Sequence, residues 1–326
     1  LVHFRNRIGE SGIELILKES IRINGNDSND STASIDTTVQ EKNITFPTDS
    51  KLHRKIIDKC RKIAEKENLP VRQSYTRTLK KLSLDQRFRN HPRNKWKARK
   101  ADRKEKTIAG RLVRELERNL SPDSRYQSDI DLFKRILNQK KSDKNKIYSV
   151  HEPDVQCISK GKEHKKYEFG NKVSIIYTQT TGVIIGALGF RNPYDGHTIE
   201  PALEQTERLL GKRTLKTLIG DRGYKGKRQI NDTTIEIPKP FNNRKQSQYQ
   251  QNKLKKQFRK RAAIEPINGH LKTDHRLNRN FYKGITGDNI NVMLAAAAFN
   301  FKRMMNKWKS SFWLEFKIQI VDLIKA

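Results

Sequence analysis

Ala33-Ser34-Ile35-Asp36-Thr37-Thr38-Val39 is the stretch whose reading decides the fold. β-Branched residues dominate it, no glycine or proline breaks it, and it reads as a β-strand. An acidic residue inside such a strand is disfavoured unless something requires it there. At this point Asp36 reads two ways, as a metal ligand or as a strand-ending cap acting through Thr37 or Thr38. Leu215-Lys216-Thr217-Leu218-Ile219-Gly220 then leads a second strand into Asp221-Arg222-Gly223-Tyr224. That puts a carboxylate at the C-terminal end of a strand, where ligands of α/β sheets sit, and Gly220 and Gly223 permit close approach. The competing reading is an Asp-Arg-Gly turn without a chemical role.

Working outward, residues 1–22 carry helical spacing through Leu1, Phe4, Ile8, Ile13, Leu17 and Ile21, and residues 23–32 form a polar linker rich in turn formers. The chain opens on Leu1 and reads like the middle of a helical element, so residues missing upstream are expected, with processing as the alternative. Pro47-Thr48-Asp49 marks a helix start, and Leu52, Ile56, Ile57, Cys60, Ile63 and Ala64 predict a helix over 49–66. Residues 72–142 are mostly charged with sparse apolar positions and suit two or three long helices, one over 97–119. After Lys146 strand patterns return at 155–158, 172–177 and 183–188, the last two joined by a Thr-Gln-Thr-Thr-Gly hairpin turn. A helix over 199–210, a strand over 233–237 and helices over 252–276, 287–307 and 311–325 complete the chain. The order predicts an α/β fold, a mixed sheet covered by helices with one large helical insertion.

Among the 326 residues Lys and Arg number 69 and Asp and Glu 36, giving a formal charge of +33. The excess is spread over runs at 51–64, 88–106, 140–146, 160–166 and 242–261. Such a chain repels itself without an anionic partner, and nucleic acid fits best because each neutralised phosphate releases a counterion. A solvated basic protein of ribosomal type is the plainer alternative. Cys60 and Cys157 are the two cysteines, too few and too far apart for a disulfide framework or a zinc site, and they suit a reducing compartment. No apolar run approaches the ~20 residues of a membrane span, and no signal-peptide pattern opens the chain.

A third stretch carries chemistry: Phe258-Arg259-Lys260-Arg261-Ala262-Ala263-Ile264-Glu265-Pro266-Ile267-Asn268-Gly269-His270-Leu271-Lys272. Offsets of four and seven return to one helix face, so Arg261, Glu265 and Lys272 are expected to line one stripe, with Pro266 a candidate kink. The bland reading of Glu265 is a surface ion pair. Asp154 and Asp195 lie in turn-like contexts and read as turn formers, and His197 as a locally bonded histidine. Three carboxylates with oxygen-only donors suit Mg²⁺ or Mn²⁺, and two such ions would serve an in-line displacement. Neither a P-loop nor a G-x-G-x-x-G is present, so nucleotide hydrolysis has no support.

With these residues in place the chain resembles the DDE transposases of bacterial insertion sequences, most of all the IS-five group. The resemblance rests on Phe4-Arg5-Asn6-Arg7-Ile8-Gly9, on residues 36–44 with Pro47-Thr48-Asp49, and on Lys160-Gly161-Lys162 with Tyr167-Glu168-Phe169-Gly170. It continues through Asn192-Pro193-Tyr194-Asp195-Gly196-His197-Thr198, Asp221-Arg222-Gly223-Tyr224-Lys225-Gly226, Arg261-Ala262-Ala263-Ile264-Glu265-Pro266 and Gly287-Asp288-Asn289-Ile290-Asn291. The family pattern of Tyr, Arg, Glu and Lys falls on 258, Arg261, Glu265 and Lys272, with Phe258 departing from the tyrosine.

The resemblance implies a ribonuclease-H-like mixed sheet flanked by helices, with a large basic helical insertion, about 50–147, after the first catalytic strand. It divides the chain into a remnant N-terminal helical region and linker (1–30), the catalytic domain (31–310) and a C-terminal helix (311–326). A family segment that precedes the Phe4-Arg5 motif is missing, so the chain is expected to be a truncated copy. Asp36, Asp221 and Glu265 are implied as the catalytic, metal-binding carboxylates, with two Mg²⁺ or Mn²⁺ ions. Arg261 and Lys272 are implied as phosphate contacts, and Asp195, His197 and Arg222 stand as supporting candidates. The implied activity is cleavage of DNA at element ends and strand transfer into target DNA, by a homodimer that pairs two terminal inverted repeats. The setting is the bacterial cytoplasm, on the nucleoid when DNA is bound. The rivals are a nuclease without strand transfer, an inactive DNA-binding remnant, and a non-enzymatic RNA-associated protein.

Overall fold

The computed structural model describes residues 2–159, 165–211, 215–238 and 247–325. The Lys160-Gly161-Lys162 motif, Leu1 and the beginning of the 242–261 basic run lie outside them. In chain order the elements are α1 (Val2–Arg22), β1 (Thr32–Lys42), α2 (Asp49–Lys66), α3 (Thr76–Asp85), α4 (Lys95–Asn119), α5 (Gln127–Asn138), β2 (Gln156–Ile158), β3 (Glu168–Thr178) and β4 (Ile184–Phe190). There follow α6 (Ile199–Leu210), β5 (Thr217–Ile219), β6 (Gln229–Ile230), β7 (Thr233–Glu236), α7 (Gln248–Arg261), α8 (Ile264–Thr273), β8 (Arg279–Asn280) and α9 (Gly284–Lys325). The chain divides into two compact units, Leu1–Asn43 with Cys157–Ala326, and Ile44–Gln156.

The first unit is the ribonuclease-H-like mixed sheet with its helices. Strands run in the order β2-β3-β1-β5-β7-β6, with β4 also on β3 and β8 also on β1. β1 lies antiparallel to β3 and parallel to β5, and β5 lies parallel to β7. Ala33, Ile35, Val39, Val173, Ile175 and Ile176 are buried. Both faces of the central strands are therefore covered, so they spell near-continuous apolar runs instead of an alternation. Ile13, Leu17 and Ile21 of α1 join the same core as Val292, Met293 and Ala296 of α9.

Three sequence expectations change here. The helix over 252–276 is two helices. α7 ends at Arg261, Ala262 and Ala263 turn, and α8 begins at Ile264. Pro266 does not kink a helix. It stands third in α8, in the first turn, where a backbone N–H has no intrahelical partner in any case. The helices over 287–307 and 311–325 are one, α9. No proline or glycine lies at 308–310, between the two expected helices, and the Ser310 hydroxyl bonds back to Asn306 O at 2.9 Å without breaking the helix. β6 and β8, two residues each, add to the expected strands.

The second unit is helical. Thr48 caps α2, its hydroxyl accepting from Lys51 N at 3.3 Å. Ile56, Ile57, Ile108, Leu112 and Phe133 share its core, each such side chain contributing roughly 1.5–3 kcal/mol on burial. Among them lies a buried carboxylate, Glu105, which accepts from Ser50 Oγ at 2.6 Å, Arg54 Nε at 2.7 Å and Gln86 Nε2 at 2.9 Å. Burial also pushes the Cys60 thiol up to about 12, which keeps it protonated and unreactive. The outer side of α4 exposes Lys95, Lys97, Arg99, Lys100, Arg103, Lys104, Lys106 and Arg111. Two aromatics stand exposed with them, Phe88 at 80% and Trp96 at 59%. Among the described residues no helix is long and apolar enough to cross a membrane.

Candidate functional site at the strand ends

β1 carries Asp36 in the middle of the sheet. β1 and β5 pair with Thr32 opposite Thr217, Ala33 opposite Leu218 and Ser34 opposite Ile219. Each pair is separated by 185 positions, and Asp221 follows Asp36 by the same 185. β5 ends at Ile219 and Asp221 stands two residues beyond it, so the pairing directs the chain toward the level of Asp36. Gly220 N bonds to Glu236 O at 3.0 Å, holding the chain to β7 just before Asp221. The Asp221 carboxylate then accepts from Gly223 N at 2.7 Å, closing the turn on itself.

The α7–α8 junction approaches Asp36. The Tyr177 hydroxyl donates to Arg261 O at 2.9 Å. Arg261 Nη1 stands 3.8 Å from Asp36 Oδ1, and Asn268 Nδ2 donates to Asp36 Oδ2 at 3.2 Å. Asp195, at the start of a short 3₁₀ turn, accepts from Thr37 Oγ1 at 3.1 Å and pairs with Lys172 Nζ at 2.9 Å. Behind them Tyr224 is wholly buried. Burial lifts its phenol well above its ordinary pKa, and the charges of Asp36, Asp195 and Asp221 push the same way.

The structure thus brings Asp36, Asp221 and Asp195 around one buried hydroxyl, with Arg261 beside Asp36. It does not bring Glu265 to them. Glu265 is exposed in the first turn of α8, and among the described residues no three carboxylates converge closely enough to hold a metal ion. The stripe expected of Arg261, Glu265 and Lys272 is split by the break at Ala262-Ala263. Lys272 stands half-buried further along α8. Arg222 is exposed in the turn after Asp221. His197 is exposed, its ring edge-on to Tyr194 at 5.7 Å.

Among the described residues no group of three or more His, Cys, Asp or Glu side chains stands close enough to hold a metal ion. Asp36 and Asp221, whose charges both act on Tyr224, are hard oxygen donors. Mg²⁺ commonly takes one or two carboxylates and completes its shell with water and substrate phosphate, so these two fit such an ion as part of its shell.

Asn268, Lys172, Thr37 and Tyr224 belong to the site as well. Lys172 carried a legible signal, since a lysine at the head of Val173-Ser174-Ile175-Ile176-Tyr177 is as out of place as an aspartate in β1. Asn268 follows Glu265 by three residues, on the same side of α8 at helical spacing.

A family model described as a transposase DDE domain matches residues 139–301, half of the chain. An uncharacterized protein, ORF8 in the nfe locus of Rhizobium meliloti, is 38% identical over 95 residues, which make up 28% of this chain and 46% of that protein. The chain spans about half the length of that curated relative. No solved structure matches.

Proposed function

The chain belongs to the transposase DDE family, and on that premise we propose that it cuts DNA at the ends of an insertion sequence and joins the freed 3′-hydroxyl to target DNA. The observation that supports the proposal is the parallel pairing of β1 and β5 at an offset of 185, the same offset that separates Asp36 from Asp221. We assign those two residues and Glu265 as the carboxylates that hold divalent metal, Glu265 being drawn in from α8 when DNA occupies the site. Bound Mg²⁺ or Mn²⁺, two ions in this reading, supplies Lewis acidity to the attacking and leaving oxygens of an in-line displacement.

The chain's own residues do the rest. Arg261, loosely paired with Asp36 at 3.8 Å, is placed to exchange that partner for a phosphate oxygen, which its planar fork binds in two-point fashion. Lys272 offers a point charge to the same backbone. Asn268 fixes one oxygen of Asp36 and leaves the other facing Arg261. No serine, cysteine or tyrosine nucleophile is required, and the burial of Tyr224 keeps its phenol protonated and out of the chemistry. The cations of α4 grip phosphates without choosing sequence. A second copy of the chain would hold the other end of the element.

The test is an incubation of the purified chain with duplexes bearing the inverted repeats that flank its reading frame, with and without Mg²⁺. Nicked products ending in 3′-hydroxyl, and joined products with a target duplex, are expected. Asp36→Ala and Asp221→Ala should reduce both by on the order of 10³-fold while retaining DNA binding. Cutting without joining would leave a metal-dependent nuclease. Cutting that survives Asp36→Ala undiminished would overturn the assignment.

A further inference from the structure

We infer that Asp195 and Lys172 form a strut that positions Asp36, within β1, and Asp221, after β5, for metal. This rests on the assignment of Asp36 and Asp221 above. Sequence context makes Asp195 a turn former, and its carbonyl does accept from the Thr198 hydroxyl at 2.7 Å. Its carboxylate does more than a turn requires. Oδ1 takes hydrogen bonds from two different strands, from Thr37 on β1 at 3.1 Å and Lys172 on β3 at 2.9 Å. Thr37 is the residue after Asp36. Lys172 sits opposite Val39 in the β1–β3 pairing, and its side chain is only 10% exposed.

The other carboxylate oxygen meets the Asp221 turn. A Cβ placed on Gly223 would lie 2.9 Å from Asp221 Oδ1 and 3.1 Å from Asp195 Oδ2. Both carboxylates therefore close on Gly223 from its side-chain side, and any side chain there would part them. Lys172 also donates to Pro193 O at 2.6 Å, which ties the segment bearing Asp195 back to the sheet. Charge completes the argument. Three aspartates around one buried phenol repel one another, and Lys172 is the cation bonded directly to the one that is not a ligand. It neutralises Asp195 and leaves the charge of Asp36 and Asp221 for metal. Outer partners of this kind orient ligands and are commonly worth 10–100-fold in metal affinity.

The experiment measures Mn²⁺ binding to the DNA-free chain by calorimetry, together with the Mn²⁺ dependence of cleavage, DNA affinity and the unfolding midpoint. Asp195→Asn keeps the shape and the hydrogen bond from Thr37 but removes the ion pair. It should weaken Mn²⁺ binding about tenfold or more, raise the Mn²⁺ concentration needed for half-maximal cleavage by a similar factor, and leave DNA affinity unchanged. Lys172→Met should do the same, and the double variant should be no worse than either single one, because the two residues act as one unit. Asp195→Glu should recover part of the loss. Asp195→Asn with unchanged Mn²⁺ affinity and unchanged metal dependence overturns the strut, and so does a loss in the double variant equal to the sum of the singles. If Asp36→Ala also leaves Mn²⁺ binding intact, the carboxylate assignment falls, and the strut with it.

Discussion

The sheet unit and the helical unit each bury a bonded carboxylate, and the charged groups at Asp36 and along α4 are arranged in different ways. In the sheet unit Asp288 pairs with Lys42 Nζ at 2.7 Å, both side chains nearly sealed from solvent, and the Asn171 and Asn280 amides close around it. In the helical unit Glu105 is ringed by Ser50, Arg54 and Gln86. At the candidate site the sheet unit holds three aspartates, each with a named partner: Asp36 with Asn268, Asp221 with Gly223, Asp195 with Lys172. The helical unit instead displays many cations along α4. Under the proposed function the site handles one phosphodiester, and that needs placement. A surface that must hold a polyanion needs number and sign.

That contrast breaks most decisively on catalysis. Asp221→Ala should reduce cleavage by on the order of 10³-fold, the scale of removing a preorganised charge-stabilising group, with DNA affinity retained in a filter-binding or anisotropy assay. An equal loss of cleavage from Arg103→Gln on α4 would erase the distinction between placement and number.

The buried carboxylates come next. Removing one partner of a buried pair strands the other charge and costs about 3–5 kcal/mol. Asp288→Ala should therefore destabilise the sheet unit and Glu105→Ala the helical unit. Hydrogen exchange should show lost protection confined to the unit that carries the substitution, and loss spread equally over both would show that they unfold together.

Arg103→Gln and Lys106→Gln should each flatten the slope of log affinity against log salt by about one, for specific and non-specific duplexes alike, with no shift in melting. A change in sequence preference would mean that α4 reads bases.

The smallest effect concerns His53. Burial holds its imidazole below the usual pKa, so the folded helical unit keeps it neutral. As pH falls below about 6.5 the unfolded chain takes up a proton that the folded one refuses, and stability drops. Thermal melts between pH 7.5 and 5.5 should show this slope, and His53→Gln should flatten it.

Local signals were the readable ones. α2 spans Asp49–Lys66, as its cap at Thr48 and its apolar spacing predict, and α6 spans Ile199–Leu210 for the same kind of reason. Asp36 and Asp221 stood out because a carboxylate in or after a β-branched run is costly without a purpose. The break before Glu265 was harder, because Pro266 admits two readings, a kink inside one helix or the first turn of another. The partners of Asp195 were out of reach. Thr37 and Lys172 lie on different strands and meet it only through the β1–β3 register, which no window of sequence contains. β6 and β8, at two residues each, are too short to show a period.

The register has one more consequence. The chain leaves the sheet after Asn43 and returns at Cys157. The last β1 pair joins Glu41 to Gly170, and β2 takes its place on the far side of β3. The hydrogen bonding between β1 and β5, which leads the chain into Asp221, is blind to how many residues were spelled in between. Ile44–Gln156 is thus an exchangeable module. A change in its length would leave the β1–β5 pairing as it is.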